Sequence, residues 1–243
     1  MLPMMVLAHL LGDYPLQTDA IARWKARSVW GVLVHGLVVT LTHLVCAVAL
    51  EPAWWPYALL IGGIHTGVDV GKARLLRTAD ATWSMVWFLA DQTIHLLVIV
   101  GVVAWSGVPL TAEVRTLGGL HVRWEVVVFL VGYLTLLQPA WVFLRFVVRG
   151  IWGPEAAPPL GSAEDAEKIA PMLERVLIAS LALAGQPALV LLVLLPRRLQ
   201  LLQAQESGVL LWVRPTTHWA ETFMGAALAI GVGLVLRIGV LGW

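Results

Sequence analysis

Charge is what this sequence has least of. Asp, Glu, Lys and Arg make up 13% of its 243 residues, about half the share found in a soluble domain. So small a polar complement cannot cover a water-facing surface, which excludes an ordinary soluble domain and a disordered chain. Cysteine is nearly missing too. Cys46 stands alone, so neither a disulfide framework nor a thiolate-rich metal site can form within the chain. Charge of one sign is not in excess: 16 basic residues against 15 acidic ones leave +1, no basic field for a nucleic acid. What fills the chain instead is apolar, 59% hydrophobic residues with a mean hydropathy of +0.83. Such a chain belongs in a lipid bilayer, crossed by helices of about 20 residues each.

The expected fold is all-α, a polytopic membrane bundle of about seven spans near 2–22, 29–50, 54–72, 84–105, 124–148, 172–195 and 218–240. It reads as a single membrane domain over 1–243, a four-helix half in 1–105 and a three-helix half in 124–243. The 13 tryptophans support these limits. Trp24, Trp30, Trp54, Trp55, Trp83, Trp105, Trp124, Trp212, Trp219 and Trp243 fall at or near span ends, where an apolar ring with a wet N–H is best accommodated. The first segment does not read as a signal peptide, since His9, Asp13 and Gln17 interrupt it and no basic stretch precedes it.

Orientation follows from Lys and Arg, which cytoplasmic loops retain. Arg23, Lys25, Arg27, Lys72, Arg74, Arg77, Arg145, Arg149, Lys168, Arg175 and Arg237 fall on one side, against Arg115, Arg123, Arg197, Arg198 and Arg214 on the other. The expectation is N-terminus out and C-terminus in, in a bacterial inner membrane. Pro154, Pro158, Pro159 and Gly161 mark a loop, and Ser162 with Asp165 reads as a capping box opening the sixth helix. Gly63, Gly67 and Gly71, like Gly225, Ala229 and Gly233, form small-residue stripes that would let helices approach closely.

Polar residues nevertheless interrupt the first four spans. They are His9, Asp13 and Gln17, then His35 and His43, then His65, Asp69 and Lys72, then Asp91, Gln92 and His95. Residues four apart on a helix differ by about 40° in direction, so His9/Asp13/Gln17, His65/Asp69/Lys72 and Asp91/His95 each line one face. Counted from the cytoplasmic ends, Asp13, His35, His65 and Asp91 all lie about seven to nine residues deep, at 1.5 Å per residue. Only His43 is notably deeper, and it reads as a helix-packing hydrogen bonder. His121 and His218 fall in loops or at interfaces and carry no assignment.

Three aspartates at this level cost on the order of 8–10 kcal/mol on insertion scales, and neutral interhelical hydrogen bonds return only about 0.6 kcal/mol each. A bound metal, worth roughly 10–16 kcal/mol for structural zinc in a peptide, offsets that cost. Imidazole with carboxylate suits zinc, with manganese or iron as alternatives. The candidate ligands are therefore His9, Asp13, His35, His65, Asp69, Asp91 and His95. Seven exceed the usual four of one zinc and fit one or two ions sharing an aspartate.

At these residues the chain resembles a known family. His9-Leu-Leu-Gly-Asp13-Tyr-Pro-Leu-Gln17, His35, His65-Thr-Gly-Val-Asp69-Val-Gly-Lys72 and Asp91-Gln92-Thr-Ile-His95-Leu resemble the bacterial membrane family known as domain of unknown function 3307. The resemblance covers about the first 100 residues; Leu173-Glu174-Arg175 and Ala220-Glu221 are similar more thinly, and Pro196-Arg197-Arg198 departs from the pattern. The same histidine–aspartate pattern is similar to that of inner-membrane metal-dependent hydrolases induced by DNA damage, and more distantly to zinc phospholipase C and nuclease folds. What this implies is chemistry by analogy, not by demonstration.

The function expected is a membrane-embedded metal-dependent hydrolase acting on a lipid or phosphoester near the cytoplasmic leaflet. A metal would lower the pKa of water toward about 7, with Asp13 or Asp91 as general base where it is not itself a ligand. Gln17, Lys72 and Arg74 are candidates to contact substrate. Expected partners are membrane lipid, a lipid-like substrate and, in a homo-oligomer, further copies of the chain. The rival readings are a divalent-metal or proton transporter, whose polar residues would continue through the whole bilayer, and a non-catalytic subunit whose metal ties four helices together. Glu174 and Glu221 fall at opposite membrane faces under this topology and stay outside the site.

Overall fold

The computed structural model describes residues 1–75, 80–108, 115–117, 120–157, 165–196, 199 and 215–242. Among the described residues the regular structure is helical apart from one short hairpin, Arg115–Leu117 (β1) paired antiparallel with Leu120–Val122 (β2). It divides into two compact units, Met1–Asp80 with Val86–Val131 and Ala81–Met85 with Gly132–Trp243.

The first unit holds Leu2–Asp13 (α1), Asp19–Lys25 (α2), Val29–Leu50 (α3), Trp55–Leu75 (α4) and most of Ala81–Trp105 (α5). The expected first span of 2–22 is not one helix. α1 stops at Asp13, and Tyr14 turns out of helical geometry at φ −123° and ψ −78°, because Pro15 has no N–H to continue the ladder. Thr18 then caps α2, its hydroxyl accepting from the Ile21 amide at 3.4 Å, and Ser28 caps α3 by accepting from Trp30 at 3.2 Å.

Burial in α3 is inverted relative to a soluble helix. Trp30, Leu33, Leu37, Leu41, Val45 and Val48 are exposed at helical spacing, whereas His35 and His43 are fully buried. Lipid, not water, is the solvent such a face suits. α3 and α4 approach closely through Gly36 and Gly62, where an added Cβ would overlap Thr66 and Thr40. The stripe anticipated for that role is not used. A Cβ at Gly63, Gly67 or Gly71 meets nothing within 4 Å, since these glycines lie on the other side of α4. One end of the unit is an apolar core of Met1, Met5, Ala47, Trp54, Ala58, Ile61, Ile99, Val102 and Val103; the polar residues of α1, α3, α4 and α5 gather toward the other.

The second unit contains Gln138–Trp152 (α7), preceded by the helix Trp124–Leu136 (α6), then Asp165–Leu183 (α8), Pro187–Pro196 (α9) and Pro215–Leu241 (α10). The span expected at 124–148 breaks at Leu137, ahead of Pro139. The span expected at 172–195 ends at Leu183, followed by Gly185 at φ +73°. Here the second stripe packs as anticipated: Ala229 is fully buried and a Cβ at Gly233 would collide with Ala179 of α8.

Among the described residues, four helices are long and apolar enough to cross a membrane, Val29–Leu50, Ala81–Trp105, Trp124–Trp152 and Thr217–Leu241. About seven were expected. α1 is too short, α8 and α9 are separated by a turn, and α4, at 21 residues, carries Asp69, Lys72 and Arg74. Two of the basic residues counted for orientation are not loop charges. Arg145 and Arg175 are buried, and Arg175 donates to the carbonyls of Leu136 at 2.8 Å and Leu137 at 3.3 Å, at the break between α6 and α7. Glu174 and Glu221, assigned to opposite faces, line one pocket with Arg175 and Thr222. The capping Ser162, and Arg77, Pro158, Pro159, Gly161, Arg197, Arg198, Trp212, Arg214 and Trp243, lie outside the described residues.

Candidate metal centre

All seven expected ligands converge in the first unit, and all are buried. α1 supplies His9 and Asp13 from its last turns, α3 supplies His35, α4 supplies His65 and Asp69 one turn apart, and α5 supplies Asp91 and His95 likewise. The i, i+4 spacing sends each pair inward from one face.

The tightest part is a set of four atoms. His35 Nε2 lies 3.4 Å from Asp13 Oδ1 and 3.5 Å from Asp69 Oδ2. His65 Nε2 lies 3.3 Å from Asp13 Oδ1 and 3.4 Å from Asp69 Oδ2. The two Nε2 atoms are 3.4 Å apart. Zinc–ligand bonds of about 2.0–2.2 Å in a tetrahedron require ligand atoms about 3.3–3.5 Å from one another. Five of the six edges of such a figure are present, and the donor set of two imidazoles and two carboxylates fits zinc.

A second set adjoins the first. Asp69, Asp91 and His95 each offer an atom within 4.8 Å of the others, as do His9, Asp13 and His65 and, within the first set, His35, His65 and Asp69. Asp69 therefore belongs to both sides of the cluster. The His65 and His95 rings stack at 3.9 Å between centroids, and His9 sits 5.4 Å from His95 and 5.6 Å from His65. Both ring nitrogens of His9 and of His95, and Oδ1 of Asp69 and of Asp91, have no hydrogen-bond partner among the described residues. Buried polar atoms left this way are costly, and a cation is the ligand that would satisfy imidazole and carboxylate together.

The surroundings hold two features that sequence reading missed. Lys25, counted as an orientation charge, reaches back from α2 to place Nζ 2.6 Å from Asp69 Oδ2. Tyr14, given no role, donates to Gln92 Oε1 at 3.2 Å, and Gln92 in turn donates to Asp91 Oδ2 at 3.2 Å. The only sequence signal for either was position: Gln92 beside Asp91, and Lys25 among the basic residues that follow the Pro15 break.

Of the candidate substrate contacts, Lys72 reaches the cluster, donating to Asp91 Oδ2 at 2.6 Å. Gln17 lies half-buried in the turn after α1, its backbone N–H donating to the Tyr14 carbonyl at 3.2 Å, and Arg74 is exposed. Neither side chain bonds to a member of the cluster among the described residues. His43 keeps its packing role: Nδ1 bonds the Val39 carbonyl of its own helix at 2.9 Å, with the ring 6.4 Å from His9.

Residues 1–118, just under half of the 243-residue chain, match the model of the family described as protein of unknown function (DUF3307). All seven clustered residues fall within the match. No curated protein and no solved structure matches the chain.

Proposed function

We propose that this protein is a membrane-embedded, metal-dependent hydrolase of the inner membrane, N-terminus out and C-terminus in, acting on a lipid or phosphoester substrate. The observation that carries the reading is the five-edged set of 3.3–3.5 Å separations among His35, His65, Asp13 and Asp69. His35 Nε2, His65 Nε2, Asp13 Oδ1 and Asp69 Oδ2 would hold one zinc; His9, His95 and Asp91, sharing Asp69, would hold a second, with manganese or iron as substitutes. Bound there, the metal supplies Lewis acidity and a water made acidic enough to lose its proton near neutral pH.

The chain's own groups divide the remaining work. Asp13 faces both Nε2 atoms and acts as a ligand. Asp91 Oδ2 accepts from Lys72 and from Gln92, itself held by Tyr14, while Oδ1 has no hydrogen-bond partner among the described residues; where His9, His95 and Asp69 hold the second ion without Asp91, Asp91 Oδ1 is the atom placed to take a proton from water.

A conducting path is the weaker reading for a physical reason. Beyond His43 the described core is the apolar cluster of Met1, Met5, Ala47, Trp54, Ile61, Ile99 and Val103, a lining that offers an ion little to bind. Metal analysis of the detergent-purified protein tests the proposal. Wild type should hold stoichiometric zinc, Asp69→Ala and His95→Ala should lose it, and phosphoester and amide lipid panels should reveal turnover that depends on it. Wild type free of metal under non-stripping conditions would defeat the proposal, and metal uptake into proteoliposomes without hydrolysis would favour transport.

A further inference from the structure

The chain contains three lysines, Lys25, Lys72 and Lys168, and two of them end on carboxylates of the cluster. Lys25 Nζ is 2.6 Å from Asp69 Oδ2 and Lys72 Nζ is 2.6 Å from Asp91 Oδ2. They come from different elements, α2 and α4, so no helical repeat accounts for the coincidence. The two are similarly exposed: the lysine side chains keep 22% and 27% of their surface exposed, while their aspartates keep 1% and 5%. Each lysine thus stands at the rim with its ammonium pointing inward. The rim at Lys25 is built, not incidental. Gly31 of α3 packs on the Trp24–Lys25 backbone so closely that a Cβ would collide with it.

Charge gives the arrangement a consequence. Three carboxylates face two ammonium groups, a formal excess of one negative charge with the histidines neutral. Two divalent cations invert this to an excess of three positive charges. Asp69 and Asp91, engaged by the cations, then have less hold on the lysines, because the bound ions dominate the local field. Two flexible ammonium groups are left at the mouth, near a common focus, since Asp69 and Asp91 offer atoms within 4.8 Å of each other. A neutral amide or ester headgroup does not answer that field. A phosphate group does, with several acceptor oxygens and up to two negative charges, and Lys binds it as a compact point charge.

We propose that Lys25 and Lys72 form a paired phosphate clamp beside the cluster, seated on Asp69 and Asp91 and turned to the phosphate group of the substrate when metal engages those carboxylates. The clamp rests on the metal-dependent reading above and narrows its substrate to a phosphate-bearing molecule. The phosphate could belong to a lipid headgroup or to a soluble ester.

The test uses the full chain in detergent and in nanodiscs, with and without zinc. The probes are inorganic phosphate, and nanodiscs of phosphatidylcholine with or without phosphatidic acid. Three results are expected. Zinc-loaded wild type binds phosphate and metal-free wild type does not. Lys25→Met/Lys72→Met keeps its zinc but binds phosphate at least about tenfold more weakly, the loss expected for charged hydrogen bonds. Amine-reactive labelling read by mass spectrometry rises at Lys25 and Lys72 on zinc loading while Lys168 stays constant. Preference for phosphatidic acid nanodiscs over free phosphate assigns the clamp to a headgroup, and the reverse assigns it to a soluble ester. Equal phosphate affinity in loaded wild type and double variant overturns the clamp and leaves the metal centre standing. Absence of zinc from wild type overturns both. If the double variant does not fold, the labelling decides on wild type alone, and unchanged reactivity at Lys25 and Lys72 overturns the clamp.

Discussion

At the scale of single residues, the cluster separates side chains that look alike in the sequence. His35 and His43 are two turns apart on α3 and both fully buried. Yet His35 Nε2 faces two carboxylates at 3.4 and 3.5 Å, whereas His43 is tied to its own helix through Val39. Asp69→Asn and His43→Asn should therefore diverge. Asp69→Asn keeps the shape and removes the charge shared by both sides of the cluster, so metal affinity should fall at least about tenfold; His43→Asn should leave it unchanged. Titration with a competing chelator measures both, and equal affinities in the two variants would contradict the ligand assignment. The aspartates and histidines were legible in the sequence because charge in an apolar span is expensive enough to demand a reason. Lys25 was not. A lysine near a span end satisfies the positive-inside rule whether it points to water or to a carboxylate, and only the turn at Tyr14–Thr18 decides which.

At the scale of helices, spacing predicted which residues share a face but not which face meets a neighbour. Gly63, Gly67 and Gly71 have the spacing of a packing stripe and pack on nothing described; Gly36 and Gly62 bring α3 and α4 together. A small-residue stripe permits close approach without specifying a partner. Gly36→Val and Gly67→Ala test the distinction. The valine would meet the Thr66 side chain, separate His35 from His65 and destabilise by about 1–3 kcal/mol, as overpacking does. The alanine enters open space and should be neutral or stabilising by up to about 1 kcal/mol. Thermal unfolding in detergent, with zinc affinity measured alongside, reads both effects; equal loss in the two variants would refute the packing assignment. Two prolines interrupt helices as local chemistry requires, α1 ending ahead of Pro15 and the α6–α7 break preceding Pro139, whereas Pro171 lies inside α8.

At the scale of the whole molecule, stability and metal should be linked. A ligand that binds only the folded state raises stability by RT ln(1 + [L]/Kd), about 2.7 kcal/mol at a hundredfold excess over Kd. Chelation should lower the unfolding temperature of wild type and leave that of Asp69→Asn unmoved, as measured by tryptophan fluorescence, to which the 13 tryptophans contribute. Identical responses of the two proteins would mean that the cluster holds no stabilising ion. The second unit contributes a different pattern of buried charge. Arg145 Nε sits 3.9 Å from Glu221 Oε1, and Arg175 is bonded to the carbonyls at the α6–α7 break.

The sequence by itself determined the solvent, the helical class and the identity of the polar residues that do not belong in lipid. Each is a matter of composition or of period along the chain: apolar excess dictates a bilayer, a bilayer dictates helices here, and the cost of burying charge marks the exceptions. Tertiary structure decided the rest. It selected His35, His65, Asp13 and Asp69 as the set with tetrahedral separations, turned Lys25 and Lys72 inward, and brought Glu174 and Glu221 to one pocket. These are distances between atoms on different helices, and they depend on breaks, crossing contacts and side-chain directions that a periodic pattern does not carry.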